Sequence, residues 1–177
     1  MTSEGGTYIT AEVEAYIGTE SPPLVSPPVS ESEIRRFAMA AYWPEVPPRR
    51  FWDAEYAKST RFGGIVAPDE FNPFGWMVGR AHIGPQPTHI DEAQGELEEA
   101  RNLRPPGAPE RYLYAGSSSE YHAPIRPGDV ITSILKFSEV YERQGGLGLM
   151  LFYVVEERMT NQNGELVRVF RTNNILY

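Results

Sequence analysis

Residues 147–159 constrain the fold more than any other stretch. Two apolar series interleave there: Leu149, Leu151, Tyr153 and Val155 at one parity, Met150, Phe152 and Val154 at the other. Side chains of a strand alternate between its two faces. Both faces of this segment are therefore apolar, which predicts a central strand covered on both sides. The flanking segments extend the pattern. Asp129 to Arg143 is long and rich in β-forming residues, and Tyr112 to Tyr121 and Glu165 to Tyr177 read as further strands. Asn161 to Gly164 ends in Asn-Gly and reads as a hairpin turn. Pro124 to Gly128, PIRPG, reads as a second turn.

The first half is organised differently. Residues 7–18 form a short amphipathic piece ending at Gly18. Residues 18–29 contain SPPLVSPPV, expected to run as an extended strap across the surface, because proline fixes φ and removes donors. A linker between two domains is the alternative, but too few residues precede it to make a domain. Ser30 and Glu33 have capping-box spacing, and Ile34, Phe37, Ala38 and Ala41 share one helical face up to Trp43-Pro44. Asp53 to Thr60 reads as a second short helix, broken by Gly63-Gly64. Asn72-Pro73 opens a predicted buried helix carrying Phe74, Met77 and Val78. Residues 83–111 lack apolar periodicity and form a long insertion, with a short helix predicted over 91–101. Helices early and long antiparallel strands late predict an α+β fold, one domain over residues 1–177.

Several functions are excluded at this level. The formal charge is −8, which argues against nucleic-acid and anionic-membrane surfaces. There is no Cys, so thiol nucleophiles and thiolate metal sites are absent. No apolar run reaches membrane-span length and the N-terminus has no signal pattern, so a cytoplasmic location is expected. Walker, GxGxxG and GxSxG motifs are missing, and His82, His89 and His122 lack metal-ligand spacing. No metal and no cofactor is expected.

The motif order is more specific than any single motif. A helix ending near Ala41 leads to a Pro-containing turn, EVPPRRF, and then to Asp53 and Ala57 in DxxxA spacing. RFGGIVAP, a predicted buried helix, the insertion, PIRPGD and NQNGELV follow. From about Gly18 to Tyr177 this resembles the FAS1-like, N-terminal branch of the MaoC-like dehydratases. The resemblance implies a single hot-dog fold, a central helix wrapped by a curved antiparallel β-sheet. It also implies hydration of trans-2-enoyl thioesters, or the reverse dehydration of (R)-3-hydroxyacyl thioesters. In that family an Asp and a His of a DxNPxH motif perform general acid–base catalysis.

The pair is missing here. Anchored on Asp53 and Ala57, Phe51 stands at the His position and Val46 at the Asp position. One register earlier the two are Arg50 and Glu45. Phe51 and Val46 have no transferable proton, and Arg50 stays protonated. Glu45 is left as a lone acid–base candidate, against its reading as a solvated loop carboxylate. Gly63, Gly64, Ile65, Val66 and Ala67 match the substrate loop, where glycine allows close backbone approach to a ligand, and the alternative is a tight turn before a helix. Phe74 and Trp76, with Phe71, Tyr112 and Tyr114, would suit a wide tunnel for long or steroid-like acyl groups, against the reading of these aromatics as core.

The resemblance therefore implies an acyl-chain-binding, dyad-less subunit of a heteromeric enoyl-CoA hydratase. Its substrate would be an acyl-CoA or acyl-carrier-protein thioester, and its partner a smaller MaoC-like catalytic subunit with DxNPxH. Two alternatives stay open: an active homodimer using Glu45 or a His such as His82, and a non-catalytic acyl-thioester-binding module.

Overall fold

The computed structural model describes residues 6–75 and 99–177. In chain order the elements are α1 (Ala11–Tyr16), β1 (Leu24–Val25), α2 (Glu31–Ala41), a 3₁₀ turn (Arg49–Phe51), α3 (Ala54–Lys58), β2 (Tyr112–Tyr121), β3 (Thr132–Gly145), β4 (Gly148–Thr160) and β5 (Leu166–Leu176). The strands form one antiparallel sheet in the order β1-β3-β4-β5-β2. The doubly apolar segment is β4, the middle strand.

Its two faces are covered by different means. Leu151 and Tyr153 are buried with Phe137 and Leu176 in one core cluster. On the opposite face Val154 is buried, but Phe152 is only half-buried. There the ring stacks on its cross-strand neighbour Tyr141 at 5.0 Å, and the Arg143 guanidinium lies 5.5 Å away. The expected cover is thus closed over Leu151 and Tyr153 on one face, where Leu149 and Val155 are half-buried, while in-plane neighbours provide part of it on the other.

The two turn motifs explain one another. Asn161 Oδ1 accepts the N–H groups of Asn163 and Glu165, each at 3.0 Å, which closes the β4–β5 hairpin. Gln162 at the tip accepts Val130 N–H at 2.9 Å and donates to Asp129 Oδ1 at 3.1 Å. The other Asp129 oxygen accepts Arg126 N–H at 2.7 Å. PIRPGD and NQNGE are therefore one interlocked corner, and Asp129 is turn chemistry.

The proline-rich strap is an edge of the sheet. Leu24 and Val25 pair with Ser133 and Thr132. Around them Ser21 N–H donates to Leu135 O at 2.9 Å and Ser26 N–H to Ile131 O at 2.8 Å. Their hydroxyls accept Leu135 N–H at 3.0 Å and Ile131 N–H at 2.9 Å. The serines make the ladder bonds, while Pro22, Pro23, Pro27 and Pro28, which have no N–H, blunt this edge against further pairing.

The capping box of α2 is complete: Ser30 Oγ accepts Glu33 N–H at 3.2 Å and the Glu33 carboxylate accepts Ser30 N–H at 2.7 Å. Ile34 and Ala38 are buried, but Ala41 is exposed. Tyr42, one turn beyond Ala38, takes the core position instead, with its ring 5.9 Å from Phe51. At the predicted helix start, Asn72 Oδ1 accepts Phe74 N–H at 2.9 Å, and Gly75 is helical. The rest of that helix, with Trp76, Met77 and Val78, lies outside the described residues, as do residues 83–98 of the insertion. No helix among the described residues is long and apolar enough to cross a membrane.

Candidate functional site

Neither register of the turn after α2 sets an Asp and a His at the motif positions. Phe51 is 2% exposed and belongs to the core cluster with Ile34, Val66 and Phe71. Val46 is 77% exposed. In the other register, the Arg50 guanidinium stacks 4.3 Å from the Phe51 ring, and Glu45 is exposed with no side-chain partner among the described residues. Trp52 donates its indole N–H to Pro47 O at 2.9 Å and so fixes the proline turn from within.

Asp53 has a structural task. Its Oδ1 caps α3 by accepting Tyr56 N–H at 3.0 Å, and its Oδ2 takes Arg49 Nε at 3.0 Å and Nη2 at 2.6 Å. The Tyr56 N–H first, and then Arg49, hold the Asp53 carboxyl below its ordinary range.

The Gly-rich loop packs on this turn. Val66 N–H points at Arg50 O at 3.4 Å, and Ala67 N–H donates to Ile125 O at 2.8 Å. Ile65, Val66, Ala67, Phe71 and Phe74 are core. Gly63 has φ +68°, a left-handed conformation that suits glycine, and a Cβ added at Gly64 would come within 4.0 Å of Arg126 Nη1. The N–H groups of Gly64 and Ile65 have no acceptor among the described residues. The loop thus presents backbone donors at its glycine end and side chains to the core at its apolar end.

Two clefts open among the described residues. One, of about 240 Å³, lies beside the loop and is lined by Arg61, Phe62, Ala67, Phe71, His122 and Arg168. The second, of about 450 Å³, lies on the β4–β5 face and is lined by Leu135, Tyr153, Val155, Phe170, Thr172 and Tyr112, among others. Burial, then the nearby Tyr112, push the Tyr153 phenol up. Tyr112 donates to Asn174 Oδ1 at 2.9 Å, whereas Tyr114 is exposed.

The sequence reading missed the polar cluster bordering this second cleft. Arg101 donates from Nη1 to Pro22 O at 2.6 Å, Ser133 O at 3.1 Å and Ser21 Oγ at 3.2 Å, and from Nη2 to Ser133 Oγ at 2.9 Å. Glu157 Oε1 accepts from the Ser133 hydroxyl and lies 4.0 Å from Arg101 Nη2. Glu157 continues the apolar parity of Leu151, Tyr153 and Val155, and a carboxylate in that series was the available signal. Among the described residues no group of three His, Asp or Glu is placed to hold a metal ion.

Residues 15–170 match the family model described as FAS1-like, dehydratase domain region. The chain belongs to that family. The FAS1-like dehydratase assignment makes it a domain of the hydro-lyase kind. No curated protein sequence matches it. Among solved structures it is similar to the ChsH1-ChsH2 complex from Mycobacterium tuberculosis, with TM-score 0.63 and 17% identity over 94% of this chain and 88% of that one. It is also similar to the HadBC (3R-hydroxyacyl-ACP dehydratase) complex from the same organism, with TM-score 0.58 and 19% identity over 90% and 96% of the two chains. The MaoC-like dehydratase from Rhodospirillum rubrum aligns with TM-score 0.56 and 17% identity over 91% and 92%. The curled antiparallel sheet of this FAS1-like dehydratase domain is that of the MaoC-like hot-dog fold.

Proposed function

We propose that the chain is the acyl-chain-binding subunit of a heteromeric (R)-specific enoyl-thioester hydratase or 3-hydroxyacyl-thioester dehydratase, with the catalytic Asp and His on a partner. One observation carries this reading. Anchored on Asp53 and Ala57, the family's His position falls on Phe51, sealed in the core, and its Asp position on the exposed Val46; one register earlier they fall on Arg50 and the exposed Glu45. The substrate loop beside them keeps its glycines, and its Gly64 and Ile65 N–H groups have no acceptor among the described residues. Binding groups without proton-transfer groups suit a subunit that holds the thioester while another chain moves the proton.

In this scheme Gly64 and Ile65 N–H face the thioester carbonyl and stabilise the negative charge that develops on its oxygen. The partner's Asp and His orient the water that adds to C3 and return a proton to C2. The larger cleft takes the acyl chain: Leu135, Val155 and Phe170 offer it apolar surface, while Arg101, Arg104, Glu157 and Asn174 make the rest of the lining polar.

The sheet edges support a partner. β1 is blunted by prolines, but β2 is a ten-residue strand paired among the described residues only with β5, mostly exposed, without Lys or Pro, and broken by one register shift between Tyr114 and Ser117. Such an edge is a template for another chain's strand. The ChsH1-ChsH2 and HadBC structures are themselves complexes of two named components, which agrees with this reading.

Co-expression with a MaoC-like chain bearing DxNPxH is expected to give a complex that copurifies. Within it, Glu45→Gln is expected to leave the hydration rate unchanged. A rate that falls to background would place the acid–base group on this chain and replace the subunit reading with the active-homodimer one.

A further inference from the structure

The larger cleft is laid out along β4. Side chains two residues apart share one face of a strand. On this face Met159, Glu157, Val155 and Tyr153 follow in that order. Met159 belongs to the core cluster with Ile65, Val66 and Ala67 of the Gly-rich loop. Tyr153 lies six residues away, about 20 Å along the strand at the usual rise. The loop therefore sits toward one end of the row and Tyr153 at the other, with the apolar surface of Leu135, Val155 and Phe170 between them.

The polar groups of this lining are unequally satisfied. Arg101 is closed on Pro22 O, Ser21 Oγ and Ser133, and Glu157 accepts from the Ser133 hydroxyl. At the far end Tyr112 donates to Asn174 Oδ1 at 2.9 Å, and Asn174 Nδ2 donates to Thr172 O and Oγ1, each at 3.3 Å. The hydroxyl of Tyr153 has no partner among the described residues, although this residue is only 7% exposed and its ring is stacked on Phe137. Arg104, half-buried on the same cleft, donates from Nη2 to Pro109 O, and its Nε and Nη1 have no acceptor among the described residues. Burial first, and then Tyr112, push the Tyr153 phenol up against the pull of Arg104, so the hydroxyl stays protonated and remains a donor.

We propose that this end of the cleft selects acyl thioesters whose far end carries an oxygen acceptor, a ketone or a carboxylate. The proposal rests on the reading of the domain as an acyl-thioester-binding subunit with the acyl chain in this cleft, and names the acyl class. With the thioester carbonyl at Gly64 and Ile65, the chain runs along β4 past Val155. Its terminal oxygen then accepts from the Tyr153 hydroxyl and the Arg104 guanidinium. A plain alkyl chain reaching the same point would strip water from the hydroxyl and leave it unpaired.

Saturated CoA thioesters test this, because they bind but cannot be hydrated. The full chain, with its DxNPxH subunit where the two copurify, is titrated calorimetrically with octanoyl-, dodecanoyl- and hexadecanoyl-CoA. Each is compared with two counterparts of the same length, one ending in a methyl ketone and one in a carboxylate. At the length that reaches Tyr153, an oxygenated thioester is expected to bind about tenfold tighter than the plain one. Tyr153→Phe is expected to cut that preference to about twofold or less. Affinity for the plain thioester is expected not to fall in this variant, since the ring that packs on Phe137 is kept; a merely structural role would weaken both together. A preference for the carboxylate is expected to shrink with added salt, and one for the ketone to be insensitive to it. No preference at any length, or one that Tyr153→Phe leaves untouched, overturns the proposal. The two readings fail separately. A preference that depends on Tyr153, with no hydration by any mixture, supports the selection and removes the hydratase-subunit reading. Hydration of an enoyl thioester by the mixture, with equal affinity for plain and oxygenated chains, removes the selection and leaves the subunit.

Discussion

Phe137→Ala is expected to lower the stability of this domain by about 3–5 kcal/mol, the range for deleting a buried aromatic ring. The ring is fully buried on β3, stacks on Tyr153 at 5.7 Å and meets the edge of Tyr16 at 5.1 Å. It therefore joins the sheet to α1. The backbone of Phe137 is held independently: its N–H donates to Thr19 O at 2.9 Å and its carbonyl accepts Gly18 N–H at 2.8 Å. The substitution leaves these bonds in place, so the loss reports packing. Urea unfolding should show a lower midpoint with an unchanged slope. A loss below about 1 kcal/mol would mean that this cluster relaxes around the hole and is not the close-packed core described here.

The second large effect is expected at Arg101. Its side chain is 11% exposed and donates to Pro22 O, Ser21 Oγ, and the carbonyl and hydroxyl of Ser133, beside Glu157. Burial lowers its pKa, and Glu157 acts in the opposite direction. One guanidinium thus ties three segments together: the chain at residue 101, the proline-rich edge and the β3–β4 pair. Arg101→Met keeps most of the volume but strands Pro22 O, Ser133 O and the Glu157 carboxylate. The expected loss is about 2–4 kcal/mol, since removing one partner of a buried charged network costs more than the network contributes intact. Adding Glu157→Gln to Arg101→Met should recover part of the loss, because the stranded charge is then gone. If the double variant is as unstable as the sum of the two single ones, the Arg101–Glu157 coupling proposed here does not exist.

The parts of this architecture that were legible in the sequence obey local rules. The capping box at Ser30, the turn at Asn161 and the alternating apolar residues of β4 each state their structure within a few residues. What could not be read depends on residues far apart in the chain. Ser21 and Ser26 look like spacers in a proline-rich strap, yet they make an edge strand because Ile131 and Leu135 lie opposite them. Ala41 fits the helical period as well as Ile34 does, and only the position of Phe51 shows that Tyr42 faces the core instead. That neither register of the turn restores an Asp and a His together was legible in the sequence. That Phe51 is sealed in the core while Val46 stands in solvent required the packing of Val66 and Phe71 against that turn. The clefts were not legible, because their linings come from three or more strands and loops.

The central claim is that this chain binds the thioester and a partner moves the proton. The most direct measurement is the hydration of an enoyl thioester, followed by loss of its ultraviolet absorbance, by the chain alone, by a DxNPxH-bearing MaoC-like partner alone, and by the two together. The account predicts no rate above background for this chain alone and a rate for the pair well above that of the partner alone. Robust turnover by this chain on its own would contradict it. A pair no faster than the partner, with acyl thioester still bound tightly, would leave the chain a binding module.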